Sequence, residues 1–343
     1  MRRRITTSCV VAVALAACMA GCNVKSGPLQ VSRTTLGTAV LVTVYGDHGD
    51  PEAAVERAFA EMDNVSADLD AYSPVTPIAQ FNEQPYAATP LPSSALEVFD
   101  AVERLGVGSS FSAALFGVSA LYGFESSETV PTAMQLNDAL IAAHSLVLEG
   151  DTARFSTPTE GGTLPGLDFG GAAKGIGLDR ALNQLRDAGV TSAIISAGST
   201  TVTLGERADG GPWRIGIEDP REGQRVVAVV EADGACTVST SGDYQRYFEI
   251  GGVRYHHILD PATGAPARGL RSLTVFGPRD TLSGLDADIL STALFVMGAQ
   301  SAESYARAAG LGLYMVDDEG RALIVPAPEE CGVSLVTEAE PIR

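Results

Sequence analysis

The chain has 343 residues, of which 45% are hydrophobic and 19% charged, so a sizeable core can form and general disorder is excluded. Asp and Glu total 42 against 23 Lys and Arg, and the resulting charge of −19 repels phosphate backbones and anionic headgroups, which argues against nucleic acid as a partner. An anionic small molecule stays compatible, because a bound metal ion inverts the local field.

In chain order, Arg2, Arg3 and Arg4 form a basic start, and Cys9 to Ala20 is an apolar run of 12 residues. That run is too short for a permanent span and fits the apolar region of an export signal. It ends in Met19-Ala20-Gly21-Cys22, which resembles a bacterial lipobox, with Cys22 as the lipidated first residue of the mature chain. Removing residues 1–21 takes three positive charges with it, lowering the formal charge to −22. Only Cys236 and Cys331 then remain in the body, too few for a disulfide scaffold, and a cysteine-based zinc site is excluded. Residues 22–32 read as a tether and 33–343 as a single unit.

Thr38 to Tyr45 alternates β-branched and apolar residues and predicts a strand. Pro51 opens a helix with Val55, Phe59, Met62 and Val65 at helical spacing. After the Pro-rich loop 72–77, helices are predicted over Ser94 to Leu105 and Thr132 to Ala143. A helix carrying Leu178, Leu182 and Leu185 on one face stops near Gly189, and strands follow at 192–196, 200–204, 213–218 and 225–231. Arg246 to Tyr255 reads as a hairpin turned at Gly251-Gly252. A strand at 272–277, helices at 286–297 and 301–309 and a hairpin at 311–325 complete the body. Without strict βαβ alternation this is an α+β fold, with mixed sheets and packed helices.

Three constellations could carry chemistry. Segment 166–177 offers closely spaced glycines, Asp168 and Lys174 at a helix start, where backbone N–H groups suit an anion. A tight turn with close helix packing explains it equally well. Tyr255 to Gly264 holds two of the four histidines beside Asp260-Pro261. A His beside an Asp in a fixed turn can orient a proton-transfer group, although an Asp-capped turn at a strand end needs no chemistry. Adjacent histidines on a strand point to opposite faces, so one of them at most serves a given site. Asp288 and Thr292, at i and i+4, put a carboxylate and a hydroxyl on one helical face, which suits a hard cation; acidic residues in a first turn are also common for dipole reasons.

Together the three resemble the FAD:protein FMN transferase (ApbE) family over essentially the whole mature chain. Thr35-Leu36-Gly37-Thr38 is similar to its M-G-T, and Leu69-Asp70-Ala71-Tyr72 with Gln80-Phe81-Asn82 to its S-x-Y…R-x-N. Asp168 to Gly175 is similar to D-[LF]-G-G-x-A-K-G, and Ser241-Gly242-Asp243-Tyr244 to S-G-D-Y. His257 to Gly264 resembles H-I-[LI]-D-P-x-T-G, and Ala287 to Ala293 resembles A-D-x-x-[SA]-T-A. The chain departs from the family at Ser109-Ser110-Phe111-Ser112, where G-A-F-D is usual, and at Gly198-Ser199-Thr200, where G-G-D is usual.

The resemblance implies an ApbE-like unit that binds FAD, splits its pyrophosphate with Mg²⁺ (Ca²⁺ being an alternative hard cation) and attaches FMN to a Thr or Ser of an acceptor flavoprotein, releasing AMP. It implies Asp288, Thr292 and the Gly171 carbonyl as metal ligands, and Lys174 as a phosphate holder. His257 is then the catalytic base that assists deprotonation of the acceptor hydroxyl, with Asp260 holding the turn around it. Leu36, Tyr72, Ser110, Phe111, Ser112, Asp168 and Ile258 join Lys174 and His257 around the flavin nucleotide. The family usually modifies respiratory membrane subunits, which a lipid anchor at Cys22 would bring within reach from the periplasm or cell exterior. A non-catalytic FAD-binding lipoprotein, or a pyrophosphatase giving free FMN and AMP, is the alternative.

Overall fold

The computed structural model describes residues 27–46, 49–124, 126–223 and 225–337; the segment read as an export signal, Cys22 and His48 lie outside them. Strands β1 (Leu29–Thr35) and β2 (Thr38–Val44) form a hairpin turned at Leu36-Gly37, both with positive φ. β1 begins inside the segment read as tether. Only Thr35 of β1 is fully buried, so this edge strand lacks the apolar alternation that would mark it. Helix α1 (Pro51–Leu69) is capped by Asp50, whose carboxylate accepts from Ala53 N at 2.9 Å, and it buries Val55, Phe59, Met62 and Val65 as the spacing predicts.

Helix α2 (Pro77–Glu83), strand β3 (Thr89–Pro90), and helices α3 (Ser93–Leu105), α4 (Phe116–Tyr122) and α5 (Ala133–Ala143) follow. Next come β4 (Leu146–Glu149), β5 (Thr152–Phe155), α6 (Ala173–Asp187), β6 (Ala193–Ala197) and β7 (Thr200–Leu204). Then β8 (Trp213–Glu218), β9 (Val226–Ala232) and β10 (Cys236–Gly242) precede the predicted hairpin, β11 (Tyr247–Ile250) and β12 (Val253–His256). The chain continues through β13 (Leu270–Pro278), α7 (Gly284–Met297), α8 (Ala299–Ala309), β14 (Gly312–Asp317), β15 (Ala322–Val325) and β16 (Val333–Val336).

An eight-stranded sheet, ordered β1-β2-β6-β7-β10-β13-β14-β15 with every pair antiparallel, organises the fold as the α+β class predicts. On one face, α1 and α6 bury Phe59, Met62, Leu178, Leu182 and Leu185 against Val42, Ile195 and Val202. Beside them α7, buried along most of its length, packs against β10 and β13. The opposite face is covered by a small sheet, β16-β9-β8, through Trp213, Ile215 and Val230 packed on Phe276 and Tyr314. The helical layer is therefore continuous over the centre of the sheet, and functional side chains emerge where α6 and α7 meet β7 and β10.

Candidate active site

The site is built on a helix crossing. Gly175 in α6 lies against the start of α7, and a Cβ there would collide with the Gly284 carbonyl. One turn further along α6, Asp179 accepts hydrogen bonds from Gly284 N at 2.8 Å and Leu285 N at 3.0 Å and pairs with Arg279 at 2.6 Å. Burial raises the Asp179 pKa, with Arg279 and the two N–H groups opposing it. The Gly-rich segment thus serves close packing as well as any anion.

The crossing delivers Lys174 to Asp288. The ammonium is 3.0 Å from Oδ1 and 3.3 Å from Oδ2 of a carboxylate that is nearly fully buried. Gly175 N donates to Oδ2 at 3.1 Å, and the Thr200 hydroxyl, from the first residue of β7, donates to Oδ1 at 3.2 Å. A chain of hydroxyls continues from Thr200 through Ser239 (2.9 Å), Ser291 (3.3 Å) and Ser241 (2.9 Å) to Thr292 (3.1 Å). The Cβ position of Gly171 lies 3.6 Å from Thr292 Oγ1, so Gly171, Asp288 and Thr292 converge. Carboxylate, hydroxyl and carbonyl oxygens fit a hard cation. The described residues hold no group of three or more His, Cys, Asp or Glu able to bind a metal, so a cation here would draw further oxygens from a ligand or water.

His257 follows the end of β12. Its backbone N donates to the Arg246 carbonyl at 3.1 Å, and its Nδ1 lies 3.2 Å from the same oxygen. A carbonyl can only accept, so Nδ1 carries the proton and Nε2 is the basic nitrogen. Burial, then the charges of Arg246 and His256, push the His257 pKa down to about 3, leaving the ring neutral at pH 7. His256 faces the other way, as strand alternation predicts. It is buried edge-on against Phe295, with Nε2 2.8 Å from the Ala267 carbonyl.

Asp260 sits in the turn that follows His257, the place read for it. Its carboxylate accepts from Ala262 N at 2.9 Å and Thr263 Oγ1 at 3.1 Å, closing the turn, and it is not part of the cleft wall. His144, at the end of α5, steadies the same turn through Pro261 O at 3.0 Å. Asp243 likewise points away from the cleft and forms a two-pronged pair with Arg221, 2.7 Å on each oxygen.

A cleft of about 440 Å³ joins these groups, a size usual for small-molecule sites. Its polar wall holds Asp168, Gly171, Lys174, Ser241, Arg246, His257, Asp288 and Thr292, and its apolar wall holds Phe111, Leu115, Phe116, Phe124 and Ile258. Ser110 and Ser112 also line it, and the Ser112 hydroxyl accepts from Ala114 N at 3.1 Å. Tyr72 stands exposed at the cleft beside Phe116, its hydroxyl donating to Asp168 at 2.7 Å. Leu36 is not in the wall; its side chain packs over Gly177 of α6, which offsets its unfavourable positive φ. Sequence reasoning missed Arg246, Leu115 and the α4 residues Phe116 and Ser119. Ser241 stood in a recognised motif that marked it without assigning it a contact.

Sequence and structure comparisons agree on one family. The ApbE family model matches residues 36–315. The chain is 30% identical to a FAD:protein FMN transferase of Haemophilus influenzae, covering 90% of this chain and 91% of that protein. It is 29% identical to one of Vibrio cholerae, covering 90% and 92%. The crystal structure of an ApbE protein from Thermotoga maritima superposes with a TM-score of 0.76 at 27% identity, over 86% of this chain and 96% of that one. The apo flavinyl transferase ApbE of Pseudomonas stutzeri gives 0.70 at 29% identity, over 91% and 95%.

Proposed function

The chain belongs to the ApbE family, and we propose that it moves FMN from FAD to a Thr or Ser hydroxyl of an acceptor protein, releasing AMP. The observation that carries this reading is the convergence on one cleft of a buried oxygen-donor cluster, an ammonium, a neutral imidazole and aromatic side chains. The aromatic wall suits a flavin or adenine ring, and the polar wall a pyrophosphate. Asp288, Thr292 and the Gly171 carbonyl would hold Mg²⁺, which when bound offsets charge on the phosphates. Lys174 serves the same phosphates as a point charge.

With the phosphates of bound FAD offsetting the positive charges that, after burial, depress its pKa in the free protein, His257 Nε2 takes the proton from the acceptor hydroxyl as that oxygen bonds to the FMN phosphorus. The pyrophosphate P–O bond then breaks, and AMP leaves with the bridging oxygen and its electron pair. We further propose that Cys22 carries a lipid anchor facing the periplasm or cell exterior, which would favour a membrane flavoprotein as acceptor. The test is covalent flavin on a candidate acceptor after incubation with FAD and Mg²⁺. Flavinylation should vanish with EDTA, return with added Mg²⁺, and be absent in Asp288→Ala. A full rate in EDTA-treated protein would overturn the metal assignment.

A further inference from the structure

We propose that Lys174 and a divalent cation are mutually exclusive partners of Asp288, so that the cation enters only with a phosphate-bearing ligand that draws the ammonium away. This rests on the reading of the cleft as a nucleotide site. A carboxylate offers about four lone-pair directions. Here four contacts take them: Lys174 on both oxygens, Gly175 N on Oδ2 and the Thr200 hydroxyl on Oδ1.

Two of the three donors are fixed. Gly175 N belongs to backbone held by the α6–α7 crossing, and Thr200 Oγ1 is tied to Ser239 on the neighbouring strand. Lys174 alone reaches Asp288 on a flexible four-carbon stem; its ammonium also donates to the Gly170 carbonyl at 3.4 Å and lines the cleft. With the ammonium in place the carboxylate is already neutralised, and a dication at the same oxygens meets like-charge repulsion at close range. Phosphate oxygens remove both obstacles, giving Lys174 a new anionic partner and the cation the ligands that a single carboxylate leaves wanting. Because linkage is reciprocal, FAD tightens the cation by the factor with which the cation tightens FAD.

The experiment titrates Mn²⁺ by the EPR signal of the free ion, with the full chain, in the presence and absence of FAD. Wild type should bind Mn²⁺ weakly alone and at least about tenfold more tightly with FAD. Lys174→Met should bind Mn²⁺ without FAD at least about tenfold more tightly than wild type, whereas Lys174→Arg should keep the weak affinity. Adding Asp288→Asn to Lys174→Met should erase the gain. If Lys174→Met fails to fold by near-UV circular dichroism, Lys174→Gln replaces it with the same expectation. Mn²⁺ affinity unchanged by loss of the ammonium, or a gain that survives Asp288→Asn, would overturn the proposal. A gain in Lys174→Met alongside no FAD binding by wild type would uphold the competition and overturn the flavin-nucleotide reading.

Discussion

His257 and its neighbour His256 show how one peptide step separates chemistry from structure. The Arg246 carbonyl fixes the His257 tautomer and leaves Nε2 basic. A positioned base is worth about 10²–10⁴-fold in rate, so His257→Gln should lose that much FMN transfer while FAD affinity, read by flavin fluorescence quenching, stays near wild type. Parallel loss of both would refute the catalytic role. His256→Gln should leave transfer nearly unchanged and alter stability instead. Desolvation lowers the His256 pKa, so the unfolded chain takes up a proton at about 6.5 that the folded chain refuses. Stability is therefore full above about pH 6.5 and falls as the pH drops. His257, pushed down to about 3, contributes with the same sign. The variant should accordingly show a shallower, though not flat, decline of Tm between about pH 7 and 5, and an unchanged slope would contradict this. The motifs made His257, Lys174 and Asp288 legible in the sequence. The same motifs named Asp260, which closes the turn after His257, and Leu36, which packs over Gly177, because a motif records a residue that matters to a turn or a helix contact in the same letters as one that touches a ligand.

At the scale of elements, the α6–α7 crossing sets the geometry on which Lys174 and Asp288 depend. Gly175→Ala forces a methyl into the Gly284 carbonyl and should cost about 1–3 kcal/mol in urea unfolding, with FMN transfer falling further than stability alone explains. Asp179→Ala removes the clamp on the α7 N-terminus and unpairs Arg279, and should cost about 2 kcal/mol or more in the same assay. Wild-type midpoints for either variant would show that the crossing does not set the site. Amphipathic helices such as α1 and α6 were legible because one face is buried and one is not. β10, reading Cys-Thr-Val-Ser-Thr-Ser-Gly, is buried on both faces and fills its inner positions with hydroxyls, so neither period nor apolarity betrays it. Helix α4 has seven residues, too few for a helical period to emerge.

For the whole molecule, the proposed lipid anchor rests on the basic start, the short apolar run and Met19-Ala20-Gly21-Cys22. Cys22→Ala should move the protein out of the membrane fraction or leave it unprocessed; unchanged fractionation would contradict the anchor. The sheet order and the small sheet behind it were beyond reading from sequence, since strands distant in the chain, such as β7 and β10, pair through contacts that no local pattern encodes. The central claim is that FAD cleavage in this cleft is coupled to bond formation on a protein hydroxyl. Its most direct test is to incubate the full chain with FAD, Mg²⁺ and a candidate acceptor flavoprotein, then quantify AMP against acid-stable flavin on the acceptor. Equal amounts of AMP and protein-bound flavin, with no free FMN, are the predicted result. AMP accompanied by free FMN, or FAD left intact, would contradict it.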